Sequence, residues 1–344
     1  MAVMNENSTC DISYVVPCHN VEPYIADCIN SLACAPDISI EIILSDDASS
    51  DGTTEVARRI AADFSPNIGF SVIDGGSRRK GPGHARNLGV ANARGRFVAF
   101  IDGDDWISAA TFANMVRLCD RLRADMGCMR TLLHSHYRGW FHATNDHLLS
   151  DRILNGRQFL LTNISNAPAL SGLEPSCNRV FRREFYDSLV APFPEATCFE
   201  DVATHFRSIF RASRVLLTQE TGYYHRNDRS DKPRDRDDRD LLQAIGVFRD
   251  VVGQVSCDCN NPLAGAYAIQ RLVMFLIRTT SALPFSLRND FIDQIVREFE
   301  KVPTTWVDAL MREGSFNDEC AKAVKLYVNG ERGALALLAG AGPF

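Results

Sequence analysis

The sequence has no apolar run long enough to cross a bilayer. Its longest, Leu272 to Ile277 between two arginines and Gly333 to Phe344 at the end, fall short of the roughly 20 residues a spanning helix needs. Residues 1–7 show neither a basic start nor an apolar core, so no secretory signal is expected. A cytoplasmic location is expected instead, with peripheral membrane contact at its inner face left open. An excess of positive charge is also missing. With 37 Lys+Arg against 43 Asp+Glu the net charge is −6, which supplies no cationic field for a nucleic-acid partner. Cys257-Asp258-Cys259 has no second pair at zinc spacing, which argues against a structural zinc. The 11 cysteines are an odd set lying mostly in apolar-periodic stretches, where Cys serves as a small hydrophobe, so a reducing compartment suits them.

What is present is an ordinary folded composition, 45% hydrophobic and 23% charged over 344 residues, enough for more than one domain. Short β-branched or aromatic runs at 12–16, 39–44, 68–73 and 97–101 read as buried strands. Helical patterns at 22–34, 53–64 and 84–93 separate them, the second capped by Asp51. This β-α alternation predicts a parallel sheet covered on both faces, with its functional edge at the strand carboxyl ends. Further on, helices are expected at 108–125 and 200–212, an amphipathic stretch at 151–163 and a strand at 214–218. From 241 the pattern is helical, broken at Pro262, Pro284 and Pro303. Basic and acidic residues alternate around Pro233 between 226 and 240, which reads as a solvated linker and a boundary.

The sharpest cluster is Asp102-Gly103-Asp104-Asp105, which closes the fourth strand. If strand geometry continues through Gly103, Asp102 and Asp104 share a side, because side chains alternate with period two. Converging carboxylates repel, and a hard divalent cation relieves this while leaving sites for phosphate oxygens. The competing reading is an acidic turn ahead of the helix that begins near Ser108. On the same sheet edge, Asp46-Asp47 opens a loop in which Asp47 is suited to contact a ligand. The first-strand loop, Pro17 to Asn20, contains no glycine, so it fits neither a dinucleotide fingerprint nor a phosphate-cradling P-loop. Glycines come after the third strand instead, at 75, 76, 81 and 83, around Arg78, Arg79 and Lys80.

Taken in order, Val15-Val16-Pro17-Cys18-His19-Asn20, Asp46-Asp47-Ala48-Ser49-Ser50-Asp51-Gly52-Thr53, Gly83-His84-Ala85-Arg86-Asn87-Leu88-Gly89 and Phe100-Ile101-Asp102-Gly103-Asp104-Asp105-Trp106 resemble the signature of family-2 inverting glycosyltransferases. Glu200-Asp201 resembles that family's Glu-Asp motif, and Tyr223-Tyr224-His225-Arg226 its closing Tyr-x-x-Arg. By itself Glu200-Asp201 also reads as the acidic first turn of a helix. Cys18-His19 and Ala48 depart from the usual pattern at positions that bear on base and sugar.

The resemblance implies an α/β GT-A fold, a mostly parallel sheet flanked by helices. The catalytic domain would occupy 1–230, nucleotide-binding over 11–107 and acceptor-binding over 108–230, with a helical region over 231–344. It further implies Pro17 and His19 beside the nucleoside, Asp47 on the base, Asp102 on the ribose, Asp104 on Mn2+ or Mg2+, and Asp201 as general base. Arg86 and Arg226 are expected to offset diphosphate charge if their loops close over it. The donor would be a nucleotide-diphosphate sugar, by preference a UDP-sugar, and the acceptor a glycan or lipid-linked hydroxyl in surface polysaccharide biosynthesis. The C-terminal helices would cover the catalytic domain, a second copy in a homo-oligomer, or a membrane surface. Two rivals remain open: a sugar nucleotidyltransferase, which uses a Gly-rich basic loop after the first strand, and a non-catalytic nucleotide- or glycan-binding module, which has no need of Asp201.

Overall fold

The structure is a computed structural model describing residues 10–34, 37–135, 138–144, 146–174, 177–189, 193–195, 198–227, 238–258, 260–312 and 318–335. The charged run between 228 and 237, the end of the chain from 336, and His136, Tyr137 and Cys259 lie outside the described residues. Described cysteines are free thiols, and no helix among the described residues is long and apolar enough to cross a membrane.

The chain divides into two compact units, the described parts of Met1–Thr162, Pro175–Ala196 and Ala212–Lys232 forming one, and those of Asn163–Glu174, Thr197–Arg211 and Pro233–Phe344 the other. The first unit is built on strands β1 (Ile12–Cys18), β2 (Ile40–Asp46), β3 (Ile68–Asp74), β4 (Phe97–Phe100), β5 (Trp106–Ile107), β6 (Met126–Ser135), β7 (Trp140–Ala143), β8 (Phe159–Thr162), β9 (Arg179–Arg182) and β10 (Val215–Asn227). They form one sheet in the order β3-β2-β1-β4-β9-β6-β10-β5, with β7 on β6 and β8 on β10. The β3-β2-β1-β4 half is parallel, and β1 and β2 are buried along their whole length, as continuous apolar runs covered on both faces should be. The other half is mixed: β9 runs antiparallel to β4 and β6, whereas β10 lies parallel to β6.

Helices α1 (Ile25–Leu32), α2 (Thr53–Ala61), α3 (Pro82–Asn92), α4 (Ala109–Arg121), α5 (Asp146–Leu154) and α6 (Arg183–Ser188) complete this unit. Pro82 opens α3 after Gly81, whose φ of 98° no L side chain adopts comfortably. The cap of α2 falls at Gly52 rather than Asp51. Asp51 closes the turn before it, accepting from the Thr53 N–H at 3.1 Å. Ser108 caps α4 by accepting from the Thr111 N–H, so the acids at 102–105 are not that helix's cap.

Three expectations are corrected. Strand β4 stops at Phe100, and residues 102–105 form a turn closed by the Asp105 N–H on the Asp102 carbonyl at 2.9 Å, so period-two alternation does not carry Asp102 and Asp104 to one side. The stretch 151–163 is the end of α5 followed by β8, because Asn155 and Gly156 both adopt positive φ and end the helix. The strand expected at 214–218 continues to Asn227, since β6 offers a parallel partner that absorbs two register shifts.

Gly95, just before β4, leaves no room for a side chain: a Cβ there would meet the Ser13 N, the Phe97 O and the Ser13 Oγ, two of them backbone atoms that cannot rotate away. Gly95→Ala is expected to destabilise the protein by about 1–3 kcal/mol, read as a lower urea midpoint at unchanged m-value.

The second unit contains α7 (Glu200–Arg211), α8 (Ala244–Asp258), α9 (Pro262–Ala282), α10 (Phe285–Phe299), α11 (Thr304–Arg312) and α12 (Asp318–Val328). The three prolines begin helices rather than interrupt one. Pro262 follows the Asn261 cap, Pro284 is itself the cap of α10, and Pro303 precedes α11. Two segments N-terminal to the expected boundary, 163–174 and 197–211, pack with these helices. The apolar face of α7, including Phe206, Ile209 and Phe210, packs against α8, and the turn at Pro168–Gly172 packs on α9.

Candidate active site

Parallel pairing of β1, β2 and β4 brings their carboxyl ends to one edge, and the loops leaving them meet there. The Asp47 N–H donates to the Cys18 carbonyl at 2.9 Å, and His19 Nδ1 lies 2.8 Å from the Asp47 carbonyl. Asn20 and Ala48 both take left-handed backbone, which lets the Asn20 side chain accept from the Ser50 N–H at 2.8 Å. Together Pro17, His19 and Asp47 belong to one hydrogen-bonded cradle. Within it the buried Asp47 carboxylate accepts from the backbone N–H groups of Lys80 at 2.8 Å and Gly81 at 2.7 Å. It therefore anchors the glycine-flanked loop ahead of α3.

The acidic turn sits beside this cradle, its Gly103 N–H donating to the Pro17 carbonyl at 3.3 Å. Asp102 pairs with the buried Arg86 of α3, Nη2 to Oδ1 at 2.8 Å, so two expected site residues are brought together. Arg226 does not ride on a closing loop as expected. It is buried on β10, where strand pairing holds it, its Nε donating to the Asp104 carbonyl at 2.9 Å and its Nη2 to Asp27 at 2.9 Å. Its guanidinium lies over the rings of Trp106 at 4.7 Å and Tyr24 at 4.9 Å.

Asp105 organises the turn, and sequence reasoning did not single it out. Its fully buried carboxylate accepts from the Tyr223 hydroxyl at 2.6 Å, His225 Nδ1 at 2.9 Å and the Arg226 N–H at 2.7 Å. The Tyr223 oxygen in turn accepts from the Asp102 N–H at 3.3 Å, so β10 fixes both ends of the turn. Asp27, on the first helix, carried no motif at all. For Asp105 a signal did exist in the alternation of Tyr223 and His225 along a strand, which places both on one side.

Burial, then the Asp105 and Cys177 charges, push the Tyr223 hydroxyl well above its ordinary range. Burial and the charges of Asp105, Asp104, Asp102 and Asp27 do the same to the Cys28 thiol, which keeps it inert. Burial works against charging His225, but the hydrogen bond and charge of Asp105, with Asp104 and Asp102 behind it, win and raise its pKa. A raised folded-state pKa stabilises the protein fully below the ordinary value of about 6.5 and ceases to do so as pH rises through the folded value. NMR titration of His225 is expected to show a midpoint above about 6.5 that falls in Asp105→Asn.

The donor set at the turn is all oxygen, which suits a hard divalent cation. Asp105 already accepts three hydrogen bonds and Asp102 is paired with Arg86, and the half-buried Asp104 is the third carboxylate of the turn. No group of three His, Cys, Asp or Glu residues is arranged around a metal position among the described residues. Asp201 is half-buried in the first turn of α7, in the second unit. Phe199 precedes it with φ of 67° and packs edge-on against Phe275 at 4.7 Å.

Residues 13–190 match the profile of glycosyl transferase family 2, and the chain belongs to that family. Its relatives include the uncharacterized glycosyltransferase EpsJ of Bacillus subtilis (strain 168), 29% identical over 63% of this chain and 61% of that one. Another is the poly(ribitol-phosphate) beta-N-acetylglucosaminyltransferase TarS of Staphylococcus aureus (strain Mu50 / ATCC 700699), 24% identical over 87% of this chain and 48% of TarS. The chain thus spans less than two thirds of the length of these relatives. Among solved structures, residues 1–349 of S. aureus TarS in complex with UDP-GlcNAc superpose with a TM-score of 0.75 at 17% identity, covering 96% of this chain and 90% of that one. A mannosyltransferase from Pyrobaculum calidifontis, solved with GDP-Man and Mn2+, has a TM-score of 0.53 at 16% identity, covering 97% and 85%. At these identities the likeness establishes the fold, a GT-A α/β architecture with a helical C-terminal region.

Proposed function

We propose that this chain transfers a sugar from a uridine-diphosphate donor to a hydroxyl of a glycan acceptor, inverting the anomeric centre, in the assembly of a surface polysaccharide. The observation that carries the reading is the Asp102–Asp105 turn set between the Asp47 cradle and Arg226. In this reading Pro17 and His19 border the nucleoside. Although Asp47 already takes two backbone donors, each carboxylate oxygen keeps a second lone pair for a base N–H. Asp102 faces the ribose, and Arg86 beside it places a fixed positive charge near the diphosphate. Asp104 would hold Mn2+ or Mg2+, which would add positive charge beside the leaving diphosphate.

Asp201 is assigned as the base. It takes the proton from the acceptor hydroxyl as that oxygen bonds to the anomeric carbon, while the nucleoside diphosphate leaves from the opposite face. The Gly-free loop after β1 weighs against the nucleotidyltransferase alternative. The proposed setting is the cytoplasmic side of a membrane, with residues 231–344 providing peripheral contact or self-association.

Calorimetric titration with UDP, with and without Mn2+, and with GDP as comparator tests the donor. Mn2+-dependent binding of UDP and none of GDP is expected, followed by turnover of a UDP-sugar. Retained nucleotide binding without transfer to any acceptor points instead to the binding module. In Asp104→Ala the Mn2+-dependent part of UDP affinity is expected to vanish, and an unchanged affinity removes Asp104 from the site.

A further inference from the structure

Four strands of the mixed half of the sheet place aromatic side chains on one face in a continuous row. Trp106 on β5 stands directly opposite Tyr224 on β10, Arg226 two residues along is opposite His134 on β6, and His134 is opposite Phe141 on β7. Directly paired residues point to the same side of a sheet, and so do residues two apart. The rings confirm the register. Trp106 and Tyr224 stack with centroids 5.6 Å apart and planes within 5°. His134 meets Trp106 at 5.2 Å and Phe141 at 4.8 Å, and Phe141 meets Tyr224 at 5.8 Å. This is not core packing: Phe141 is 50% exposed, and Trp106, Tyr224 and His134 are half-buried.

We propose that this shelf seats the acceptor, and that the unit it seats is a pyranose ring rather than an open polyol phosphate. The inference rests on the glycosyltransferase reading above. Trp106 follows the acidic turn without a break, and the shelf lies on the β10 side of that turn while the nucleoside cradle of Pro17 and Asp47 lies on the β1–β2 side. In an inverting transfer the nucleophile comes from the side opposite the departing diphosphate, so donor and acceptor need separate seats flanking the turn. The chemistry of the row suits a sugar ring. The half-exposed Phe141 ring, standing edge-on to Trp106 and Tyr224, offers a face for the C–H side of a pyranose, and tyrosine and histidine bring polar atoms for its hydroxyls. A polyol phosphate offers no such face and asks for cationic partners, whereas Arg226 is committed to Asp27 and the Asp104 carbonyl.

The strand geometry also supplies a control. Trp140 is as exposed as Phe141, at 53%, but stands on the other side of β7, where it packs against His142. The test is saturation-transfer NMR on the full chain in the presence of UDP and Mn2+, with cellotetraose, chitotriose and ribitol 5-phosphate as probes. Saturation is expected at pyranose ring protons of an oligosaccharide, with little at ribitol 5-phosphate. Phe141→Leu, which keeps apolar bulk but loses the ring face, is expected to weaken oligosaccharide binding about tenfold. Phe141→Tyr and Trp140→Ala are expected to bind as the parent does.

Equal binding by Phe141→Leu, preferential binding of ribitol 5-phosphate, or no saturation of either oligosaccharide overturns the proposal. So does a parallel loss of UDP affinity in Phe141→Leu, which would mark the shelf as a base-stacking site. If UDP does not bind at all while Phe141→Leu still loses the oligosaccharide, the sugar site stands and the transferase reading falls.

Discussion

Asp201→Asn is expected to lower turnover by about 10²–10⁴-fold, the usual worth of a positioned general base, while UDP affinity stays within about twofold of the parent. The amide matches the carboxylate in size and shape, so the first turn of α7 keeps its packing, but it cannot accept the acceptor proton. Loss of rate without loss of donor binding separates a base from a group that holds the nucleotide. The pH profile sharpens the result: the acidic limb of kcat/KM, set by protonation of the base, should disappear in the residual activity of the variant. A fully active Asp201→Asn would end its assignment, and the carboxylate of Glu200, buried one residue earlier, would be the next to test.

The second large effect is expected at Asp105. Asp105→Ala strips the acceptor from the Tyr223 hydroxyl, His225 Nδ1 and the Arg226 N–H at once, all around a carboxylate with no exposure. Breaking a buried charged network by removing one partner costs about 3–5 kcal/mol, more than most single substitutions. Asp105→Asn keeps one acceptor oxygen and is expected to cost less, so the pair of variants grades the damage. Urea unfolding gives the stability loss. UDP titration at a temperature where the variants remain folded gives the functional loss. Because Tyr223 also holds the Asp102 N–H, donor affinity should fall in Asp105→Asn even with the fold intact. Donor binding equal to the parent's would mean that the turn holds its shape without this anchor.

The strands of the parallel half were legible as short runs bounded by turn residues, and three of them, β1, β2 and β4, are buried as expected, whereas β3 at the sheet edge is only half-buried. Burial on both faces leaves a continuous apolar stretch whose start and stop are punctuated by turn residues. Asp47, Asp102, Asp104 and Arg86 were legible as motif members, and Asp102 and Arg86 do meet. Asp105 was not, since as the third acid of a run it looks like its neighbours. What distinguishes it is burial against residues 118 to 121 positions away in the chain. Arg226 was legible as a residue but not in its posture: a strand, an exposed aspartate and two rings hold it where a closing loop was expected. Of the aromatic row, His134 and Phe141 lay in one aromatic-rich stretch at 132–150, but no spacing links them to Trp106 and Tyr224.

By itself, then, the sequence determined the alternating elements of the nucleotide half, the acids at its strand ends and the family to which the chain belongs. All of these are written in local patterns of a few residues. Only the tertiary structure decided which acid anchors the turn, where Arg226 is held, that α7 packs with the C-terminal helices, and that the four aromatics share a face. Each of these depends on strand register or on burial between segments far apart in the chain, and local sequence carries no record of which distant backbone a strand will pair with.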